Sequence, residues 1–310
     1  MDSNIFSSPE YASRREEYKK RFYIPALELS ESTKELLVQY SKIPEGQLQA
    51  HVERIREKAW GIYPYPCIGM GRPSPPPLPP STSSPPTNPP SPHPRFPQPP
   101  HLTHPLYHSS ILPRLLTGTQ VYLDLGCAFA QNLRRLVADG VPSAQCYGAD
   151  LRLEFLDLGY ELFADRSTLE SQFIAADVFD EGSALRELDG GVDIVDASSF
   201  FHLFTLAEQK KVARRVLALL KPREGSLVVG RQVGNLRPGE YGMRSGEGTR
   251  YRHDVASWRG MWEAVGSERG VGVEVWGDLR KVEGFGGRVN AGEVEGEGAG
   301  MMEFWVRRLD

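Results

Sequence analysis

Apolar and polar positions alternate with two different periods along the last two thirds of the chain. From Leu106 onward, short apolar runs rich in β-branched residues alternate with amphipathic segments of helical period. The predicted strands are VYLDL, AQCYGADL, FIAADVF, GVDIVDASSFF and SLVVGRQVG, and the predicted helices are QNLRRLVADG, LEFLDLGYELFA, SALRELDG, TLAEQKKVARRVLALLKP and SWRGMWEAVG. Strands and helices that alternate in this way predict an α/β fold with a doubly wound, mostly parallel sheet.

The last two apolar runs, VGVEVWGDL and MMEFWVRRL, have no helical pattern between them. The connection from Gly284 to Gly300 is rich in glycine, so the two runs predict a terminal hairpin. The sheet then has seven strands, and the hairpin makes its edge strand antiparallel.

The first 70 residues are polar and helical in pattern. The segment IPEGQLQAHVERIREKAWGI has apolar residues on one helical face, namely Leu48, Val52, Ile55 and Ala59. We therefore expect an N-terminal helical extension, or lid, over residues 1–70. Trp60 fits either packing against the main core or direct contact with a substrate.

A proline-rich segment follows over residues 71–105. It contains 16 of the 25 prolines of the chain, between Pro73 and Pro105. Such a segment lacks backbone donors and apolar side chains to bury, so it predicts a disordered linker or insertion before a folded domain over residues 106–310. A docking site for proline-recognising domains and a gene-model error are the alternatives.

Composition excludes several classes of partner. A net charge of -4 and a pI near 6.0 provide no basic field for nucleic acid. Three scattered cysteines, Cys67, Cys127 and Cys146, form no CxxC metal pattern, and their odd number fits no disulfide framework, which favours the reducing cytoplasm. The charged N-terminus and the lack of a long apolar run predict no membrane insertion. The sequence is compatible with a homodimer.

The stretch VYLDLGCAFAQ predicts the cofactor site, because open α/β sheets bind ligands where the first strand turns into a helix. A dinucleotide needs G-x-G-x-x-G, but Gly126 is followed here by Ala128 and Ala130. Asp124 would also lie close to the negative pyrophosphate. An acid at this position suits the ammonium and sulfonium of S-adenosylmethionine, and an NAD-dependent oxidoreductase is disfavoured.

Two further acids end the next two predicted strands, Asp150 in YGADL and Asp177 in AADVF. A carboxylate at the end of the second strand can accept both ribose hydroxyls, and one at the third can accept from the adenine amino group. Each aspartate alone could instead cap a helix or turn. The ordered set of three acids favours the cofactor.

These residues resemble those of class I S-adenosylmethionine-dependent methyltransferases. The order DLG, GAD, AADVF carries the resemblance, and SSFFHLFTLAEQKKVARRVLALLKP, SLVVGRQVG, YRHDVASWRGMWEAVG and IREKAWGIYPYPCIG are most similar to fungal methyltransferases of meroterpenoid pathways. The resemblance covers residues 20–70 and 105–310. It implies an O-methyltransferase acting on a carboxyl or hydroxyl of a small hydrophobic polyketide–terpenoid. The implied cofactor residues are Asp124, Gly126, Cys127, Ala128, Ala130, Asp150, Leu151, Asp177 and Val178.

The first motif of that family, D-x-G-C-C-F-G-Q, is only partly kept. Ala128 replaces a cysteine without expected cost, and Ala130 replaces the second glycine of the loop. If that glycine has a positive φ, alanine costs about 1 kcal/mol, and S-adenosylmethionine binds about fivefold to tenfold more weakly or not at all. A non-catalytic relative that uses the proline segment for recruitment is the second hypothesis.

The acceptor site is expected near the loop after the fourth strand. His202 is the candidate that orients or deprotonates the acceptor, with helix capping or packing as its alternative. Methyl transfer requires no metal, and the sequence shows no metal cluster. The candidate substrate residues are Phe200, Phe201 and Phe204 as a hydrophobic wall, Arg231 and Gln232 as partners of a substrate carboxylate or as a solvated strand end, and more weakly His253 and Trp258.

Overall fold

The computed structural model describes residues 19, 20, 23, 29–69, 104–242, 248–281 and 297–310. It contains two compact units, one of residues 1–99 with 157–166 and one of residues 100–156 with 167–310. Almost all of the predicted proline-rich linker and most of the glycine-rich connection lie outside the described residues. No helix in the described part of the chain is long and apolar enough to cross a membrane.

The described residues form nine strands, of which seven make one sheet in the order β3-β2-β1-β4-β5-β9-β8, and β6 with β7 forms a separate two-stranded sheet. The strands are β1 Tyr122–Leu125, β2 Cys146–Asp150, β3 Gln172–Ala175, β4 Ile194–Asp196, β5 Leu227–Asn235, β6 Gly239–Gly242, β7 Thr249–Arg252, β8 Val273–Lys281 and β9 Ala299–Arg308. The predicted seven-stranded, mostly parallel sheet is confirmed.

The helices alternate with the strands of the main sheet, as the pattern predicted. They are α1 Glu31–Glu35, α2 Leu48–Ile62, α3 Pro66–Gly69, α4 Leu112–Leu116, α5 Gln131–Ala138, α6 Leu153–Phe163, α7 Leu206–Leu219 and α8 Val255–Arg269. The predicted capping box begins α7: Thr205 Oγ1 accepts from the Glu208 N–H at 3.4 Å, and Glu208 Oε2 accepts from the Thr205 N–H at 3.0 Å. The segment predicted as a short helix at SALRELDG is a 3₁₀ turn, Ala184–Leu188.

The position of the antiparallel strand differs from the prediction. β9 pairs antiparallel with both β5 and β8, so it lies inside the sheet. β8, at the edge, is therefore parallel to the first five strands. The reason is the path of α8, which crosses the sheet and leaves one strand position empty next to β5 before β8 begins. The chain then returns as β9 and fills that position.

The unit of residues 1–99 and 157–166 buries the face predicted from helical spacing, which comprises Leu48, Val52, Ile55 and Ala59. Trp60 is buried as well, and its ring lies edge-on to Tyr23 at 5.1 Å between centroids. Within the same unit the Tyr40 hydroxyl donates to Asp165 at 2.8 Å. The role of this unit as a lid stays a prediction.

The second unit has its main core on one face of the sheet, beneath α7 and α8. The rings of Phe201, Trp258, Trp262 and Phe304 form its aromatic centre, with Phe201 and Trp258 centroids 5.0 Å apart. Each of the four is fully buried. This cluster fixes α8 and the turn after β4 against β9, directly beside the carboxyl edge of the sheet.

Candidate active site

The turn between β1 and α5 is held by the backbone of β2. The N–H groups of Gly126 and Cys127 donate to the Ala149 carbonyl at 2.8 and 3.0 Å, and the Ala130 N–H donates to the Cys127 carbonyl at 2.7 Å. Gly126 has a φ of +71°, and a Cβ there would overlap the ring of Phe200. Glycine is therefore required here by both conformation and space.

Both alanines of this loop are left-handed, with φ values of +48° for Ala128 and +47° for Ala130. Ala128, expected to carry no cost, therefore shares the cost expected for Ala130, although a cysteine in its place would carry that cost too. Ala130 is 0 % exposed, so its methyl group presents no surface to a ligand. The alanine that replaces this glycine therefore raises the conformational energy of the loop, and it does not narrow the space that the loop leaves open to a ligand.

Asp150, at the end of β2, lies against this loop. Its Oδ2 accepts from the Ala128 N–H at 2.9 Å and its Oδ1 from the Arg152 N–H at 3.0 Å. Burial raises the pKa of Asp150 above its ordinary value, and the two backbone N–H groups oppose that rise. Because each carboxylate oxygen can accept two hydrogen bonds, both oxygens keep capacity for hydroxyl donors.

The segment after β3 adjoins Asp150, because the Ala176 N–H donates to the Asp150 carbonyl at 2.9 Å. Asp177 Oδ1 accepts from the Phe179 N–H at 2.9 Å, as in the capping alternative, and one carboxylate oxygen remains beyond that bond. Val178 is buried in the main core, whereas Leu151 is 55 % exposed. Leu151 thus offers an apolar surface beside Asp150.

Asp124 has a buried neighbour that the sequence reasoning missed. Asp196 is the residue of β4 directly paired with Asp124 of β1, and both carboxylates are buried on the same face. Asp196 accepts from the Tyr122 hydroxyl at 3.1 Å and from the Asn132 amide at 3.2 Å. The signal was the second aspartate of DIVDA, which follows a short apolar run as Asp124 does.

Cys127 of the loop is a buried thiol. Burial, with Asp124 and Asp150 nearby, raises its pKa well above the ordinary value. It is therefore protonated at neutral pH and has no nucleophilic role. No cluster of His, Cys, Asp or Glu side chains within the described residues is arranged to hold a metal ion.

Aromatic rings form one wall beside the loop. Phe204 lies edge-on to Phe200 at 5.1 Å and to Phe179 at 5.2 Å, and Phe179 is partly exposed. Phe201 does not join this wall, because its ring is buried in the aromatic core with Trp258. The turn after β4 alternates its side chains between site and core, so only some of the predicted phenylalanines can face a ligand.

His202 lies in that turn, whose backbone is fixed by the hairpin of β6 and β7. Arg252 donates to the His202 carbonyl, and the Tyr251 N–H donates to the Phe204 carbonyl at 2.8 Å. The side-chain amide of Gln209 donates to the carbonyls of both Phe204 and Tyr251, each at 3.0 Å. The hairpin, absent from the sequence prediction, therefore determines the position of the candidate acceptor loop.

Arg231 and Gln232 are both buried in the middle of β5, just past the residues that pair with β4, and they lie on opposite faces of the sheet. Arg231 is directly paired with Glu303 of β9, so a protein carboxylate lies opposite it. Gln232 is directly paired with Met302, on the face that carries the aromatic core. The structure therefore does not bring these two candidates together.

The residues around the loop fit S-adenosylmethionine. Gly126 supplies the left-handed turn that opens the loop, Asp150 retains acceptor capacity for a diol, and Leu151 supplies apolar surface next to it. The buried carboxylates of Asp124 and Asp196 suit a ligand with positive charges.

Comparisons with known proteins agree with this fit. The Meroterpenoid methyltransferase N-terminal domain family matches residues 22–72, and the Methyltransferase domain family matches residues 123–223. O-methyltransferase phiE of Fungal sp. (strain ATCC 74256) is 40 % identical over 86 % of this chain and 82 % of its own length. O-methyltransferase atr3 of Stereocaulon alpinum is 42 % identical over 89 % and 72 %. Asnovolin E/Chermesin D methyltransferase nvfJ of Aspergillus novofumigatus (strain IBT 16806) is 37 % identical over 80 % and 81 %.

The fold and the loop define a class I methyltransferase that uses S-adenosylmethionine as its methyl donor. Within that class, the chain belongs to the meroterpenoid methyltransferase family of fungal secondary metabolism.

Proposed function

We propose that this enzyme methylates a carboxyl or hydroxyl oxygen of a small, hydrophobic polyketide–terpenoid. The observation that carries the proposal is the aromatic wall of Phe179, Phe200 and Phe204 next to the loop held by Asp150. Two of the similar proteins are named O-methyltransferases, and a third is named for asnovolin E and chermesin D. An apolar wall beside a polar loop suits an acceptor of this class.

In this proposal each loop residue has a defined role. Asp150 accepts from the ribose hydroxyls, Asp177 from the adenine amino group, and Leu151 lies against the adenine, with the backbone of Val178 next to it. Gly126, Cys127, Ala128 and Ala130 shape the turn, and Asp124 with Asp196 favours the positive charges. S-adenosylmethionine supplies the activated methyl group when bound. Methyl transfer then needs alignment of the acceptor oxygen and exclusion of water, which Phe200 and Phe204 provide.

The acceptor decides whether the enzyme needs a base. A carboxylic acid, with a reference pKa of about 4, is ionised at neutral pH, whereas a phenol has a pKa of about 10. His202 is the proposed base for a hydroxyl acceptor. We expect His202→Ala to change turnover of a carboxylate by less than about tenfold and to lower turnover of a phenol by about 100-fold or more. Equal losses on both acceptors would remove the base role.

Calorimetric titration with S-adenosylmethionine, and separately with S-adenosylhomocysteine, tests the cofactor site directly. We expect the unaltered chain to bind both ligands and Asp150→Asn to bind at least about tenfold more weakly, because an amide replaces one of the acceptor oxygens. Asp157→Asn is the matched control, since Asp157 is an exposed partner of Arg166 in the other unit. Equal affinities for the two variants would exclude Asp150 from the site, and no binding by the unaltered chain would favour the non-catalytic hypothesis.

A further inference from the structure

Three buried side chains near the carboxyl edge of the sheet carry polar atoms that have no hydrogen-bond partner among the described residues. The atoms are both amide atoms of Gln232, Nε2 of His253 and Nε1 of Trp258. Gln232 and His253 are 1 % exposed, and Trp258 is 0 % exposed. A buried polar group without a partner costs about 1–3 kcal/mol, and folded proteins contain few of them. Other buried polar atoms of the described residues also lack a partner, but these three side chains lie on one face near the carboxyl ends of the strands, where a ligand would complete their hydrogen bonds.

The three side chains converge from separate elements. Gln232 and Gly234 share one face of β5, and a Cβ on Gly234 would lie 2.6 Å from the carbonyl oxygen of His253. His253 therefore lies over the end of β5 on the side of Gln232. Its ring is 5.3 Å from that of Trp258, in the first turns of α8. The sheet, the exit from the hairpin and α8 each contribute one side chain.

The chemistry of the cluster is neutral and rich in N–H donors. The indole of Trp258 can only donate, and the amide of Gln232 has two N–H groups and one oxygen. Burial lowers the pKa of His253 to about 4, so its ring is uncharged at neutral pH. Its Nδ1 is engaged with the Ser257 hydroxyl at 2.9 Å. Such a donor set matches a carbonyl or carboxylate oxygen, which accepts two hydrogen bonds in its plane.

The cluster adjoins the proposed methyl-transfer site. Trp258 packs on Phe201 with 5.0 Å between ring centroids, and the neighbouring Phe200 covers Gly126 of the cofactor loop. Two adjacent aromatic residues, Phe201 and Phe200, therefore lie between the cluster and the loop. An acceptor that contacts both the cluster and the loop must extend past these two rings.

We propose that Gln232, His253 and Trp258 form an oxygen-binding subsite that holds a carbonyl or carboxylate group of the methyl acceptor. This proposal rests on the proposed function, because it takes the acceptor to be an oxygenated hydrophobic molecule. The subsite selects methyl acceptors that carry an oxygen at this point, since a ligand without one leaves the N–H groups of Gln232 and Trp258 unpaired.

Gln232→Leu tests the subsite, with three probes titrated by calorimetry in the presence of S-adenosylhomocysteine. The probes are a farnesylated 2,4-dihydroxybenzoate, its methyl ester and the decarboxylated resorcinol. We expect the variant to lose tenfold or more in affinity for the acid and the ester, and less than twofold for the resorcinol. A loss on the acid alone assigns a carboxylate to the subsite, and a loss on both assigns a carbonyl oxygen. Equal effects on all three probes, or no binding of any probe by the unaltered chain, would overturn the proposal.

Thermal unfolding of the same variant separates this role from a structural one. Because Gln232→Leu removes unpaired buried groups, we expect an unchanged or higher Tm. A lower Tm with unchanged probe affinity would show that the amide serves the fold. Turnover on the acid distinguishes the two proposals: wild-type KM in the variant overturns the subsite alone, and probe binding without methyl transfer by the unaltered chain overturns the proposed function alone.

Two tryptophans of α8 provide a matched pair of variants. Trp258 and Trp262 are both fully buried, both lack a partner for Nε1 and both pack on Phe201. Trp262 lies one turn further from the carboxyl edge, outside the proposed subsite. We expect Trp258→Phe to weaken binding of the acid or its ester at least fivefold, and Trp262→Phe to leave it unchanged. The indole N–H resonance of Trp258 should shift on addition of the bound probe. Equal affinities of the two variants, or an unmoved resonance, would contradict the assignment.

Discussion

At the scale of single residues, the backbone strain of the cofactor loop is already present in the folded protein without a ligand. A left-handed conformation costs a non-glycine residue about 1–2 kcal/mol, and Ala128 and Ala130 both adopt it. Since these angles are part of the native loop, the cost lowers the free energy of unfolding. We therefore expect affinity for S-adenosylmethionine to be less affected than the sequence pattern alone indicated.

Ala130→Gly should raise the free energy of unfolding by up to about 1 kcal/mol, because glycine adopts the left-handed conformation without the clash but gains freedom when unfolded. The affinity for S-adenosylmethionine should change by less than about twofold. Chemical denaturation and calorimetry measure the two quantities. Ala164→Gly is the control, since Ala164 has a φ of +51° on the surface of the other unit. A selective gain in affinity for Ala130→Gly would show that the strain acts on binding.

Gly126→Ala should destabilise the protein by more than the backbone conformation alone explains. A control with the same backbone is Gly270, whose φ is +68° and whose added Cβ would meet nothing within 4 Å. We expect Gly270→Ala to cost about 1–2 kcal/mol and Gly126→Ala to cost at least about 1 kcal/mol more, because its Cβ overlaps Phe200. Denaturant unfolding of both variants measures the difference. Equal losses would mean that Phe200 moves aside freely.

The relative placement of the three acids could be predicted from the sequence for a physical reason, while their role stays a prediction. Asp124, Asp150 and Asp177 lie at or just past the ends of β1, β2 and β3, and parallel strands have their carboxyl ends on one side of the sheet. The period of two in a strand also indicates that Arg231 and Gln232 face opposite sides, a signal that the initial interpretation did not use. Residue types alone could not reveal the left-handed angle of Ala128, which depends on the closed turn.

At the scale of elements, hydrogen bonds hold the β6–β7 hairpin and the turn after β4 together. Gln209 of α7 connects them through hydrogen bonds to the carbonyls of Phe204 and Tyr251. Phe204 also receives the Tyr251 N–H. Because of these bonds, movement of the hairpin would displace the turn that carries His202.

Gln209→Met should loosen this connection. Tyr251 loses the donor to its carbonyl, so we expect a loss of about 1 kcal/mol and faster amide hydrogen exchange in β7. Hydrogen exchange followed by mass spectrometry measures it, with β1 as the internal reference. Gln232→Met is the matched control, because Gln232 is equally buried and makes no hydrogen bond within the described residues. Similar exchange in both variants would show that the amide bonds of Gln209 do not hold the hairpin.

The hairpin escaped sequence prediction because its strands are polar and partly exposed. Gly239–Gly242 and Thr249–Arg252 read GEYG and TRYR, with no aliphatic residue, whereas the equally short β1 was recognisable from its apolar residues. The α7 capping box, by contrast, needs only Thr205 and Glu208 at the right spacing and was predicted correctly. Local hydrogen-bond patterns are visible in a sequence, whereas contacts between distant segments depend on the assembled sheet.

At the scale of the whole molecule, the charges differ between the two sides of the main sheet at which the parallel strands begin and end. These sides are called the amino edge and the carboxyl edge. At the amino edge, Asp193 is fully buried and accepts from the Val121 N–H at 2.7 Å, from Lys221 at 2.6 Å and from Arg223. Although burial raises its pKa, the hydrogen bonds from Lys221 and Val121 hold the pKa of Asp193 below its ordinary value. At the amino ends of the strands Asp193 is thus paired with cations. At the carboxyl ends, the Asp150 carboxylate beside the cofactor loop accepts from backbone N–H groups and lies on the same side of the sheet as the neutral groups of the proposed subsite.

His253 and Asp193 should make the free energy of unfolding of the protein depend on pH in two different ranges. The pKa of His253 falls from 6.5 to about 4 on folding, so the unfolded chain binds more protons and stability decreases as the pH falls from about 6.5 to 4. This shift corresponds to about 3 kcal/mol. The contribution of Asp193 is present above its ordinary pKa of 3.8 and is lost only below it. Unfolding free energies between pH 4 and 7 should show a reduced slope for His253→Phe, and an unchanged slope would show that the ring is hydrated.

Strand order is the part of the fold that periodicity could not determine. The apolar patterns of β8 and β9 predicted two adjacent antiparallel strands, and that pairing is confirmed. They contain no information on which of the two lies next to β5, because both present apolar residues to the same core. The order follows from the path of α8 over the sheet.

The internal position of β9 has a consequence for synthesis of the protein. During translation β5 and β8 emerge before β9, so each keeps an unpaired edge until the last strand of the sheet arrives. Unpaired edges pair readily with other chains and promote aggregation. A version shortened before Ala299 would therefore leave a gap between β5 and β8. Both of these strands would then expose unpaired backbone groups, whereas the loss of an edge strand would expose only one.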